Sequence, residues 1–451
     1  MRTVAFGFTL LALAGAVAAQ AAPVAFPGAV GVAAETPGGR GGRILRVTTL
    51  AADGPGSLKA AIEAKGPRII VFEVGGVIDM GRKTIDIKQP FLTIAGQTAP
   101  APGITIIRTG IDLKTHDVVI RHIRVRTGVD GQGPDSGWDP DALSTIGAKN
   151  VVIDHCTFSW AIDENLSASG PRFTGKTPEE WREGTSRRIS FSYNLLSEGL
   201  AKASHPKGEH SKGTLIHDNA TDILIWRNIY AHNVERNPLL KGGVQAAVVN
   251  NLIYDPGRRA VHYNLMALEW AGHPYQTGEL SAVGNVLRGG PSTPPGLPFL
   301  MLGGDGDLKY HARDNIAVDW TGAPLPAFGR YGETRAKLIE AAQPVAWPAN
   351  LPVLPAQDVE THLLANAGAR PWDRDMHDLR VLFFIAEGRG EIIDSEAQVG
   401  GFPKMPETRA PFVEANWNLD TMEPKSGLYP GQKGPIQEPL SARDQAMRGQ
   451  R

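Results

Sequence analysis

Three stretches of this chain can be laid over one another: "DALSTIGAKNVVIDH" from Asp141, "GTLIHDNATDILIWRN" from Gly213 and "NPLLKGGVQAAVVNN" from Asn237. Each reads as a short strand, a turn, and an alternating strand that ends in His or Asn. Weaker copies, "HDVVIRHIRVR", "RRISFSYN", "LSAVGNVL" and "KYHARDNIAV", flank them. The alternating strands recur about 23 to 40 residues apart, a repeat length typical of a solenoid with loops of varying size inserted in its turns. One such unit cannot bury its inward face alone. Neighbours stacked about 4.8 Å apart supply both the backbone partners and a continuous core.

This is the pattern of an all-β, single-stranded parallel β-helix. The 52 glycines and 34 prolines punctuate short Val-, Ile- and Thr-rich runs, and no long amphipathic helix shows between residues 90 and 320. An antiparallel sandwich would also give short strands, but it calls for frequent two-residue Asn-Gly hairpins, which are scarce. The asparagines closing "SYN", "WRN" and "VNN" suit turns between faces and should stack into a ladder. Residues 22–320 are thus expected to form the solenoid, with "SLKAAIEA" and its flanking strands capping the open first coil. Residues 321–451 are expected to wrap onto it, with "TRAKLIEAA" helical, "QPVAWPANLPVLPAQ" irregular and the end "PLSARDQAMRGQR" disordered.

The 46 basic and 47 acidic residues nearly cancel, leaving a formal net charge of -1, so bulk charge points to neither nucleic acid nor an anionic membrane. Residues 1–21 have a basic start, a short apolar run and small residues near Ala19-Gln20-Ala21, which is the layout of a secretory signal peptide. No later run is long and apolar enough to span a membrane, so the expectation is a secreted monomer, extracellular or periplasmic. The single cysteine, Cys156, excludes an internal disulfide and reads as a buried small hydrophobe.

Aligning the repeats also aligns charge. Asp141, Lys212 and Arg236 each stand about ten or eleven residues before the second strand of their unit, and Asp163 and Glu164 fall between the first two. Asp139 and Asp141, at i and i+2, share a face if the strand extends that far. Carboxylates at successive levels repel unless a cation joins them, and an oxygen-only, exposed cluster suits Ca²⁺. Lys212, Arg236 and Lys241 beside it suit an acidic polymer. "SHPKGEH" brings His205, Glu209 and His210 close in sequence, but without the H-E-x-x-H spacing of zinc peptidases, and reads as polar loop.

With "GRGGRILRVTTL", "TIAGQTAPAPGITI", "VVIRHIRVR", "DALSTIGAKNVVIDHCTFSW", "SFSYNLLSEG", "ERNPLLKGG", "GARPWDRD" and "IIDSEAQVGG", the chain resembles the pectate lyases of polysaccharide lyase family 1. Those are secreted right-handed parallel β-helices. The resemblance implies Ca²⁺ bound by Asp139, Asp141 and Asp163, with Glu164 a neighbouring candidate. It implies Arg236 as the Brønsted base, Lys212 as a substrate-binding lysine, and Lys241 where many members have a second arginine. Ser167 stands where many members carry another calcium carboxylate, which implies a poorer or shifted metal site. Polygalacturonate, or pectin, is then the expected partner. A glycoside hydrolase pairing Asp141 with Asp163 or Glu164, and a non-catalytic polysaccharide-binding β-helix, remain as alternatives on the same scaffold.

Overall fold

A computed structural model of the chain describes residues 23–434. The expected leader over residues 1–21 and the tail beyond 434 lie outside the described residues. The backbone winds into stacked coils whose strands line up in three long sheets of eleven, nine and ten strands. Pairing from coil to coil is parallel throughout the solenoid, which excludes the sandwich.

Each central coil holds three strands, not the two visible in the repeat. In one coil these are Leu143–Ile146, Lys149–Asp154 and Thr157–Ser159. The third is three residues long and starts so soon after the second that the two merge in sequence into the single run "NVVIDHCTFS". Neither Gly nor Pro marks the corner between them. Instead an ordinary residue adopts the left-handed conformation there: His155, Tyr193 and Arg227 have φ of 48°, 53° and 58°.

The following residue makes that corner affordable. Asn194, Asn228, Asn251 and Asn285 stack as a buried ladder that ends on the half-buried Asn315. The side-chain oxygen of Asn228 accepts from both the backbone N–H and the side-chain amide of Asn194, at 2.9 and 3.0 Å. Its own amide donates to Phe191 O at 2.9 Å and to Asn251 at 3.0 Å. Every donor and acceptor left open by the turn is thereby paired, as a buried polar group requires. Cys156 takes the first rung instead, fully buried, its backbone N–H donating to the Asn194 side chain at 2.9 Å.

Inward side chains stack in columns. Ile120, Ile153, Phe191, Ile225, Val248 and Ala282 occupy one register position on successive coils and belong to one hydrophobic core. At the first coil the short helix Leu58–Glu63, capped by the Ser57 hydroxyl, lays Leu58, Ala61 and Ile62 on that core. Buried Arg68 donates to Ala61 O and Ile62 O, carbonyls left open by the last turn of that helix.

The solenoid runs past residue 320. Strands Phe328–Arg330 and Leu338–Glu340 continue two of the sheets, so the "TRAKLIEAA" segment is strand where a helix is expected. Pairing with Leu308–Arg313 overrides its helical composition, since an unpaired coil edge lies directly beside it. Two helices that the proline-rich sequence does not announce, Ala356–Asn366 and Met376–Glu387, follow. They bury Val359, Leu363, Val381 and Ile385 on the outer side of the third sheet, against Leu195, Ile229, Leu252 and Val286. Asp375 and Asp378 at the start of the second helix meet Arg126, which is buried with them.

Replacing Asn228 with leucine removes the acceptor of the buried Asn194 backbone N–H and the side-chain donor to Phe191 O. The expected loss is about 2–4 kcal/mol, read as a lowered urea midpoint at unchanged m-value. An unchanged midpoint would show that the ladder does not hold the turns.

Candidate active site

The functional side chains gather where strands of the nine-stranded sheet begin. Glu164 opens strand Glu164–Ser169 and pairs in register with Lys212, which opens Lys212–Ile216. Asp141 lies one level earlier, its Oδ1 accepting the Glu164 N–H at 3.0 Å. One level later the residue bridged to Lys212 is Glu235, not Arg236. The expected equivalence of Asp141, Lys212 and Arg236 is therefore off by one at its last member. Arg236 has φ of 63°, which turns the chain there and sends the guanidinium back past Lys212 to the acidic levels.

There it forms an ion pair with Glu164 and stands 3.6 Å from Asp163. Asp141, Asp163 and Glu164 each offer an oxygen, and the three oxygens lie within 4.8 Å of one another. Asp163 Oδ1 and Glu164 Oε1 are buried and take no well-formed hydrogen bond, the Arg236 guanidinium being the cation against them. Burial, and then the Asp163 charge, push the Asp141 carboxyl up to about 8, against hydrogen bonds from Ser167 and Ser144. Asp141 keeps a partly open edge but is enclosed on its other sides, so burial dominates. Ser167 donates to Asp141 Oδ2 at 2.6 Å.

Even with Asp141 protonated, Asp163 and Glu164 against one guanidinium leave negative charge uncompensated. Oxygen-only donors around that charge fit a hard divalent cation such as Ca²⁺. Asp139 stands outside this trio. Pro140 follows it and the strand begins only at Leu143, so the i, i+2 pair does not share a strand face. Asp139 is exposed, and with Asp112, Asp141 and Ser144 it lines an adjoining cleft of about 330 Å³.

The cations have carboxylate partners of their own. Lys212 is buried, with Nζ 2.5 Å from Glu235 Oε1. Burial, then Arg258, pull its ammonium below the usual lysine range, while Asp163 and Glu209 oppose them. Glu235 also pairs with Arg259 and lies 3.4 Å from Arg258. Burial likewise lowers Arg236, against the pull of Asp163 and Asp141. Lys241 sits at the far end of its strand, paired with Glu269 and 3.5 Å from Asp218, facing a different set of acids.

Glu235, Arg258, Arg259 and the loop histidines are absent from the sequence-based site. "GRRA" could have revealed the arginines, because the Leu239–His262 register, run back three places, sets Arg259 level with Arg236. His205 and His210, expected as polar loop, turn inward instead, with Nε2 atoms 3.5 and 3.4 Å from Asp163. Burial pulls His210 down to about 4, which keeps its ring neutral at neutral pH.

The chain is 30% identical to "Probable pectate lyase C" of Aspergillus flavus over 382 residues, 84% of this chain and 81% of that protein. The chain belongs to the pectate lyase family, polysaccharide lyase family 1. A pectate lyase of the same printed name from Emericella nidulans is 35% identical over 288 residues, 63% of this chain. That match spans 58% of the Emericella protein's own length. Among solved structures, "Structure of the thermostable pectate lyase PL 47" superposes with a TM-score of 0.51 at 17% identity. It covers 77% of this chain and 98% of that one, and so shares the pectate lyase fold. No family model matches the chain.

The raised Asp141 carboxyl sets a pH dependence for the calcium-free protein. Between the ordinary 3.8 and about 8 the folded chain holds a proton there that the unfolded chain releases. That stabilisation is complete below pH 3.8 and is lost as pH rises through about 8. In EDTA, the melting temperature of the unmodified chain should fall relative to Asp141→Asn between about pH 5 and about pH 8. A constant difference between the two chains would contradict the assignment.

Proposed function

We propose that the chain is a secreted, calcium-dependent pectate lyase that cleaves 1,4-linked polygalacturonate by β-elimination. The observation that carries this is the meeting of an uncompensated carboxylate trio with a half-buried arginine, beside a cationic patch, in a chain of this family. Asp141, Asp163 and Glu164 would hold Ca²⁺. Bound there, calcium supplies positive charge to the uronate carboxylate and to the charge that grows at the adjacent carbon. Asp139, one residue from Pro140 and open to solvent, is a candidate for further coordination from the neighbouring cleft.

Elimination needs a base at the C5 proton, which is acidified by the carboxylate on that carbon, and departure of the 4-linked oxygen. Arg236 is the group we assign to take that proton. A guanidinium is ordinarily protonated at any relevant pH. Burial favours its neutral form, and a cation held by the trio would weaken the hold of Asp163 and Asp141 on its proton. Lys212, kept extended by Glu235, would bind and neutralise the uronate carboxylate. Lys241 would hold the chain farther along, its ammonium exchanging Glu269 for a uronate.

The same solenoid could instead hydrolyse the polymer with paired acids. Hydrolysis leaves no unsaturated product, so ultraviolet absorbance during polygalacturonate digestion separates the two reactions. The expected outcome is a rise in absorbance that EDTA abolishes and Ca²⁺ restores. Reducing ends formed without that rise would favour hydrolysis, and tight binding without either would favour a non-catalytic module. Arg236→Lys should lower turnover by about a hundredfold or more while circular dichroism stays unchanged. Near-normal turnover would remove Arg236 as the base.

A further inference from the structure

The loop over residues 198–211 brings two imidazoles to Asp163. His205 Nε2 lies 3.5 Å from Asp163 Oδ2, and His210 Nε2 lies 3.4 Å from Oδ1. Both rings are buried and stacked on one another, their centroids 3.3 Å apart with 11° between planes. Neither contact is a hydrogen bond, and Asp163 Oδ1 is buried with no hydrogen-bond partner at all.

The far nitrogens fix which ring atoms carry hydrogen. His205 Nδ1 accepts the Lys207 N–H at 3.1 Å, so in the neutral ring its hydrogen is on Nε2. His210 Nδ1 faces Glu209 O at 3.1 Å and must donate to it, which leaves Nε2 a bare lone pair. That lone pair points at a carboxylate oxygen. Two electron-rich atoms held 3.4 Å apart in a buried place call for a positive species between them.

Spacing and donor type together narrow the species. Two ligands on a tetrahedral ion, each bonded at about 2.0–2.1 Å, stand about 3.3–3.4 Å from one another. The His210 separation of 3.4 Å meets that figure, and the His205 separation of 3.5 Å, to the other Asp163 oxygen, lies close to it. We infer that Asp163, His205 and His210 form a second cation site, selective for a borderline first-row divalent ion such as Zn²⁺, Ni²⁺ or Co²⁺. Two imidazole nitrogens disfavour Ca²⁺, which takes oxygen ligands, and favour these ions.

Loading has definite local consequences. The His205 hydrogen moves from Nε2 to Nδ1, the exposed Lys207 N–H turns to water, and the two rings fan apart to aim at one ion. Asp163 is common to both sites, so an ion held by the histidines withdraws it from Asp141, Glu164 and Arg236. The two cations therefore compete. The inference rests on the imidazole pair and holds whether or not the chain is a lyase.

The test uses the full chain, stripped with chelator and titrated with Co²⁺ while its visible d–d absorption is followed. The expected result is one saturable equivalent, displaced by Zn²⁺ and weakened by Ca²⁺, and retained in Asp141→Asn. His205→Gln and His210→Gln should each weaken Co²⁺ binding by about a hundredfold or more with unchanged circular dichroism. A folded glutamine variant that binds Co²⁺ as the unmodified chain does would overturn the site, and a Co²⁺ affinity indifferent to Ca²⁺ would overturn the sharing of Asp163. Neither failure would touch calcium-dependent elimination, which is read separately from product absorbance.

Discussion

Parallel backbone pairing from coil to coil is the constraint from which everything else follows. It sets neighbouring strands about 4.8 Å apart and makes residues far apart in sequence adjacent in space. Glu164 and Lys212 are paired in this way across an intervening loop and helix. Because side chains alternate between faces, a slip of one residue would exchange core and surface along a whole strand. The asparagine ladder opposes such a slip. Each rung bonds both to the next rung and to backbone, so the corners of the coils from Cys156 to Asn315 are tied to one another.

On that frame, charge is arranged by level. Two levels carry carboxylates and the next two carry lysine and arginines, with Glu235 placed among the cations as their common partner. Arg236 joins the two groups because its backbone departs from the strand. Had it continued the ladder, its guanidinium would lie beside Arg259 and the acidic trio would have no cation in contact. The site therefore depends on one local break in an otherwise regular stack.

Much of this was legible in the sequence because solenoids write their register as repetition. The alternating strands, the ladder asparagines and the strand position shared by Asp141, Glu164 and Lys212 on successive coils follow from aligning "DALSTIGAKNVVIDH" with its copies. What the alignment missed has physical causes. The third strand is too short, and its corner too free of Gly and Pro, to separate from the second. Arg236 is off by one because a backbone twist carries no composition signal. Asp139 falls outside the trio because the strand starts beyond Pro140. Leu338–Glu340 became strand through an exposed coil edge, and the two late helices acquired their order from the sheet they cover. His205 and His210 belong to a loop, whose folding over Asp163 no periodicity encodes.

The most direct test of this account is a crystal structure of the chain grown with calcium, with the ion located by its anomalous scattering. The account requires one calcium at about 2.3–2.6 Å from oxygens of Asp141, Asp163 and Glu164, with the Arg236 guanidinium moved off Glu164. Calcium bound elsewhere, with Arg236 still paired to Glu164, would contradict it.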